Sequence, residues 1–446
     1  MAPVVIKQLF RRLDIAPLVF FRIVVGGLIT IELAGEWFTG YSADFFSGHF
    51  NIPYQFTPWL KPWPPFWMHL HFALNVVFGV LVTIGLFYRF SAFMLFLGIG
   101  SAFLMEQSVY INHTYLYCLI ALLMVFVPAH KAWSADVARG AVQAQATAPA
   151  WSVYILRFQM GVVYFFAGLA KLNPDWLAGT PMNIWLPARA HYYLIGHLLA
   201  QSWLPQFMSW SGAFLDLLVV PALLWKRTRL YAFVLICLFH ITNVSIFGIG
   251  TFPWLSIAMT ALFLSPAAFR QLGILRKKLP SLQEVAKQQA SSIKPGKVTL
   301  ALLAIYCFLQ LAIPLRQFAY AGNTSYTESG HNFSWHMMLR DKRGYVTFKV
   351  VDKTKKLNET VSLNKHLSSR QQQRMVGKPE MILAFAHYLK NYYQKQGYTN
   401  VEVYGGGMVS FNGRPHQPFI DPTVDLGNES FSLGEYHWIL PLKNHE

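Results

Sequence analysis

Nine apolar stretches of about twenty residues recur before position 320, and no other feature constrains the chain so tightly. A hydrocarbon layer of about 30 Å is crossed by ~20 residues rising 1.5 Å each, so each stretch reads as a membrane-spanning helix. They lie near 17–37, 67–87, 90–109, 113–129, 151–171, 208–225, 230–249, 252–269 and 298–318. The first is read as a permanent span and not a cleaved leader, because Arg22, Glu32 and Glu36 interrupt it and no small-residue cleavage site follows. Charged residues make up 13% of the chain, about half the share in a soluble domain, which excludes one large soluble enzyme. An aromatic share of 16% suits helices that meet two membrane–water interfaces. Cys118, Cys237 and Cys307 stand in apolar runs without a CxxC pair, so no disulfide framework and no metal site are expected.

Acidic residues gather late, with 11 of the 20 after position 320. The expected organisation is a mainly α, polytopic transmembrane helical bundle over 1–320, followed by a small α+β extramembrane domain over 321–446. Nine crossings with a cytoplasmic N-terminus place Lys7, Arg11, Arg12, Arg89, Lys131, Arg139, Lys226, Arg227, Arg229 and the basic residues from Arg270 to Lys297 inside. Only Lys61, Arg189 and Arg316 then fall on the other side, and the tail lies on the periplasmic or lumenal face. The net charge of +17 is thus a topology signal at the lipid bilayer, and no nucleic-acid partner is expected. Segment 38–66, rich in Trp and Pro, reads as a rigid interfacial cap, and 140–150 as a plain linker. In the tail, 345–351 alternates as a strand, while 368–396 reads as one or two helices interrupted near Gly377 and Pro379 and stopped at Gly397. Residues 401–404 and 408–411 read as two strands, the second entering an Asn412-Gly413 turn. The triplet Gly405 to Gly407 between them has neither a following helix nor a P-loop Lys, so it reads as a bulge and not as a phosphate cradle.

An ionisable or amide group at membrane depth must face a partner or a cavity, because lipid cannot solvate it. Lys171 ends the fifth stretch, Asn112 and His113 open the fourth, and His240 and Asn243 lie one helical turn apart on the seventh. Five polar groups from three helices are therefore expected to converge on one outward-opening pocket. The bland reading stands beside this one: a helix-end Lys snorkels to water, His113 anchors at the interface, and the His240–Asn243 pair ties helices together at ~0.6 kcal/mol per bond. Asp216 and Glu106 are available as structural partners for any of them. A Lys in an apolar pocket has a distinctive use, since desolvation disfavours its charged form and lets it act as a base.

The stretches Asn112-His113-Thr114-Tyr115-Leu116-Tyr117, Tyr164-Phe165-Phe166-Ala167-Gly168-Leu169-Ala170-Lys171-Leu172-Asn173-Pro174-Asp175-Trp176 and Phe239-His240-Ile241-Thr242-Asn243 carry these groups. With Phe333-Ser334-Trp335-His336-Met337-Met338 and Ile420-Asp421-Pro422-Thr423-Val424-Asp425 in the tail, they resemble, in order, the vitamin K-dependent gamma-carboxylase family. That family includes microbial members and the related horizontally transferred transmembrane domain, and the resemblance spans about 20–441. It implies a membrane-bound lyase that couples oxygenation of reduced vitamin K, a phylloquinone or menaquinone hydroquinone, to carboxylation of a peptide glutamate. Dioxygen and carbon dioxide would be co-substrates, γ-carboxyglutamate and the quinone 2,3-epoxide the products, and a quinone reductase system a partner. By resemblance Lys171, as a neutral amine, removes a hydroquinone proton. A γ-carbon proton is too weakly acidic for any side chain, so the cofactor supplies the strong base. His113 matches the histidine linked to carbon dioxide addition. Asn112, His240 and Asn243 match the quinone-binding residues, and Trp335, Met337 and Met338 the glutamate-side segment. Ala170 stands where the animal enzyme has a second Lys, the tethering cysteines are absent, and most of the animal enzyme's long C-terminal region has no counterpart here. These departures fit a microbial-type member and put propeptide recognition in doubt.

Two rivals are carried forward. One keeps hydroquinone epoxidation without glutamate carboxylation. The other is a lipid or small-solute transporter, which predicts broken helices in matching halves; the sequence has no convincing internal repeat.

Overall fold

The computed structural model describes residues 2–39, 44–45, 49–193, 195–291, 293–432 and 434–443. Among the described residues, nine apolar helices form the membrane part: α1 (Ala16–Phe38), α2 (Pro65–Ile84), α3 (Tyr88–Met105), α4 (Asn112–Phe126), α5 (Trp151–Ala170), α6 (Leu204–Leu224), α7 (Arg229–Phe247), α8 (Phe252–Ala261) and α9 (Lys297–Leu315). Several open on proline in the first turn, at Pro17, Pro65, Pro205 and Pro253, where the missing N–H has no helical partner to lose. Gly85 and Gly248 close α2 and α7 with φ of 71° and 62°, a left-handed cap that glycine adopts without strain. Where α1 meets α2 the backbones approach closely. A Cβ on Gly26 would stand 2.8 Å from Thr83 Oγ1, and one on Gly79 would stand 2.6 Å from Thr30 Oγ1, so small residues set this contact.

Seven helices among the described residues are long and apolar enough to cross a bilayer, and α4 and α8 are shorter. At 1.5 Å per residue, the 15 residues of α4 and the 10 of α8 reach only about 22 and 15 Å. Both are buried in the bundle core, and their first turns face a cavity. Irregular backbone at membrane depth survives where it lines such a space. The stretch expected as one span over 252–269 is broken, because Ser265 and Pro266 start a separate helix, Pro266–Arg270. The expected linker 140–150 is also corrected. Strand β2 (Thr147–Pro149) pairs antiparallel with β1 (Arg12–Asp14), and Gln288 Oε1 accepts from the backbone N–H groups of Ala146 and Thr147 at 3.1 and 3.0 Å. That support comes from a helix more than a hundred positions away and leaves no local pattern.

In the tail, β3 (Lys342–Asp352), β4 (Leu357–Thr360), β5 (Glu402–Phe411) and β6 (Gln417–Pro418) form an antiparallel sheet in the order β4-β3-β5-β6. Helices α10 (Ser369–Met375) and α11 (Pro379–Lys395) flank Gly377, whose φ is 66°, and Phe348, Phe385, Val403 and Trp438 are buried among the core of this part. The two short strands expected at 401–404 and 408–411 are one strand, and the bulge is absent. Gly405, Gly406 and Gly407 pair in unbroken register with Phe348, Thr347 and Val346. Glycine is needed for space, since a Cβ on Gly405 would stand 2.6 Å from Leu426 and one on Gly407 2.6 Å from the Tyr345 carbonyl.

The 38–66 segment runs without helix or strand from 49 to 64, while 40–43 and 46–48 lie outside the described residues. Trp59, Trp63 and Trp67 face outward, as interfacial anchors do. Glu106, available on sequence grounds to partner a pocket group, instead fastens the tail. It is fully buried and accepts from the N–H groups of Ile52 (2.9 Å) and Ser108 (3.0 Å) and from the Gln371 amide (3.0 Å). Glu106→Ala would strand those donors in a dry interface, and a loss of roughly 3 to 5 kcal/mol is expected, read as a lowered unfolding midpoint in detergent. A second fastening joins Asp175 to Arg414 through contacts of 2.7 and 2.8 Å. The Arg414 guanidinium holds that carboxyl below its ordinary range, so the tie is complete above that range and weakens as pH falls through it.

Candidate functional site

Lys171 follows the last turn of α5, where a cation complements the helix C-terminus. Its Nζ donates to the Ala167 carbonyl at 3.2 Å and to Asp216 Oδ2 at 2.7 Å. The residue is 6% exposed, so it is not a snorkelling lysine. The sequence after it explains its shielding. Asn173 caps the short helix Pro174–Leu177 by accepting from the Trp176 N–H at 3.0 Å, which turns the chain back so that the Trp176 ring lies 5.4 Å from Nζ. Asp216 is brought up by α6, which closes on α5 at a glycine: a Cβ on Gly168 would stand 2.8 Å from Leu217 Cγ.

Asn112, His113, Lys171, Asp216, His240 and Asn243 line one cavity of about 250 Å³ together with Tyr164, Trp176, Met337 and Met338. Since a cavity of roughly 150 Å³ holds a benzene ring, this one has room for a two-ring head group. A larger apolar groove of about 900 Å³ along α6 and α7 shares Met208, Phe239 and Asn243 with it, so the space opens sideways along two lipid-facing helices. His240 is 2% exposed. Its Nε2 meets the Tyr164 hydroxyl at 3.0 Å, and its Nδ1 has no hydrogen-bond partner among the described residues. A buried polar atom without a partner is costly, and at this position it suits a ligand oxygen.

His113 Nε2 lies 3.1 Å from Glu32 Oε1. Asn112 is engaged with the tail: its amide donates to the His336 carbonyl at 2.8 Å, and its oxygen accepts from the Tyr110 hydroxyl at 3.2 Å. The Tyr110 oxygen in turn accepts from the Phe333 N–H at 2.6 Å. Above the cavity, Phe333, Trp335 and Met338 have φ of 63°, 60° and 50°, a region that costs ordinary residues of order 1 to 3 kcal/mol each. The segment is held by buried histidines. Burial pushes His336 down to about 3, so the ring is neutral; its Nε2 faces Gln317 Oε1 and its Nδ1 lies 2.9 Å from His331 Nδ1.

Met337 and Met338 reach the cavity and Trp335 does not. Trp335 is fully buried and stacks on Tyr115 with ring centroids 5.0 Å apart, so it stands behind the cavity wall. Four residues carry no site role in the sequence reading: Glu32 beside His113, Tyr164 beside His240, Trp176 over Lys171, and Thr251, which donates to Glu32. An acid inside the first span is the available signal for Glu32, and on sequence grounds it argues only that this stretch is a permanent span.

The HTTM-domain family model matches residues 10–267. The model described as vitamin K-dependent gamma-carboxylase, lumenal domain, matches residues 295–445. No solved structure matches the chain.

Proposed function

We propose, from the premise that the chain belongs to the vitamin K-dependent gamma-carboxylase family, that it oxygenates a lipid-soluble hydroquinone and couples that step to carboxylation of a peptide glutamate. The observation that carries this reading is a buried amine–carboxylate pair facing an apolar cavity that opens toward lipid, with an unpartnered histidine nitrogen in its wall. Reduced vitamin K, when bound, would supply the strong base that no side chain can provide.

The neighbourhood of Lys171 changes the form of the base. Lys171 Nζ donates to Asp216 Oδ2 at 2.7 Å, so the two side chains face the cavity as a pair and not as a lone amine. We assign proton removal to the pair: the Asp216 carboxylate takes a ring-hydroxyl proton while the Lys171 ammonium holds the negative charge left behind. His240 orients the ring through Nδ1, and Asn243 lies where cavity and groove meet. His113 acts later, at the glutamate carbon, with Met337 and Met338 covering that side. The tail is assigned to the lumenal or periplasmic face, with the N-terminus cytoplasmic, and a quinone reductase system regenerates the hydroquinone.

The test is a paired assay with reduced vitamin K and a short glutamyl peptide, scoring epoxide and fixed labelled carbon dioxide together. Both products are expected. Epoxide without fixed carbon dioxide would move the assignment to a hydroquinone epoxidase, and neither product would remove both. In the same assay His113→Ala is expected to reduce carboxylation by roughly 10² or more and epoxidation by far less; equal losses would place His113 before the oxygen step.

A further inference from the structure

We propose that Glu32 is a positioning residue that fixes the tautomer of His113 and stabilises its protonated ring, an inference that rests on the placement of His113 at the reacting glutamate. The two oxygens of Glu32 receive two donors. His113 Nε2 approaches Oε1 at 3.1 Å, and Thr251 Oγ1 donates to Oε2 at 2.6 Å. Thr251 has one hydroxyl proton and spends it on Glu32, so the Tyr117 hydroxyl, 2.5 Å away, must donate to Thr251. Read in order, the chain runs from Tyr117 through Thr251 to Glu32, with His113 arriving from the other side.

This direction leaves little freedom to the ring. Facing a carboxylate, Nε2 carries the proton, and the neutral imidazole keeps its lone pair on Nδ1. Nδ1 is therefore the nitrogen left for a ligand in the cavity that His113 lines. When Nδ1 takes a proton, the charge spreads over the ring and is met at once by Glu32. The other titratable groups around the ring are Glu36, one turn along α1 from Glu32, Tyr117 on α4, Lys171 at the end of α5, Asp216 on α6 and His240 on α7. Of the two glutamates on α1, Glu32 is the one that makes the direct contact, with side-chain exposure of 15% beside 17% for His113.

A plain clamp between α1 and the start of α8, made through Thr251, would need the same hydrogen bonds, so the test must read charge as well as shape. Glu32→Gln keeps an acceptor for Nε2 and loses the charge; Glu32→Asp keeps the charge. Diethyl pyrocarbonate acylates only neutral imidazole, so the rate of His113 modification against pH, mapped by mass spectrometry on the full-length protein in lipid, reports the ring without any turnover. The Glu32→Gln curve is expected to move to lower pH and the Glu32→Asp curve to stay near the wild type. In the carboxylation assay Glu32→Gln is expected to lose kcat by about 10- to 100-fold, the range for removing a partner that orients a functional histidine, with KM changed less than about twofold. Superimposed modification curves for wild type and Glu32→Gln overturn the proposal, as does equal loss of kcat in Gln and Asp variants. A wild type that fixes no carbon dioxide sinks the carboxylase reading and leaves the modification curves to decide on Glu32.

Discussion

Lys171→Ala is expected to abolish epoxide formation and carboxylation together. On the proposed function both products descend from one deprotonated hydroquinone, and Lys171 at the cavity wall is the side chain placed to hold that charge. A positioned proton-transfer or charge-stabilising group contributes roughly 10² to 10⁴ in rate, so loss to background is the predicted scale. Truncation also empties space between Trp176 and Asp216, and a small primary amine supplied in solution should enter it and restore part of both activities in parallel. Rescue of carboxylation alone would contradict a shared first step. Undiminished epoxidation by a folded Lys171→Ala protein would remove this residue from the chemistry.

Asp216 gives the second large effect, and it separates stability from catalysis. Asp216→Ala leaves an ammonium buried without its counter-charge, a change worth about 3 to 5 kcal/mol when one partner of a buried pair is removed. Lys171→Met combined with Asp216→Leu is expected to recover most of that loss, because apolar side chains of similar volume replace a buried pair at little cost. The double variant should therefore be stable and inactive. Asp216→Asn discriminates between two bases: if the carboxylate accepts the proton, the isosteric amide is inactive, whereas a lone Lys171 base would tolerate the change. Thermal midpoints and the paired assay on these variants settle the choice.

Much of the membrane part is legible in the amino-acid order because a span needs only apolar length, and length is a local property. Where α4 and α8 begin is not local. Asn112 and Phe252 start those helices at a cavity whose walls come from α5, α6 and α7, and nothing near either residue records that. The candidate site divides in the same way. Polar residues out of place in an apolar run mark themselves, as Lys171, His240 and Asn243 do. Their partners are harder to assign, and Glu106 shows why: an acid near the end of a span is equally suited to a pocket lysine or to backbone N–H groups, and the tail decides. The left-handed residues Phe333, Trp335 and Met338 leave no trace in composition, because their segment is held by the Phe333 N–H on Tyr110 and by the His336 ring on His331 and Gln317.

Asn112 grips a carbonyl of the tail with one end of its amide and, through Tyr110, an N–H of the same segment with the other, while its neighbour His113 stands in the cavity. Any load placed on the extramembrane part, by a docking polypeptide or by thermal loosening, is thereby transmitted within one residue of the reacting groups. On the proposed function, docking and reaction would meet at this joint, so proteolytic release of the tail should silence the membrane part even with every one of its own helices intact.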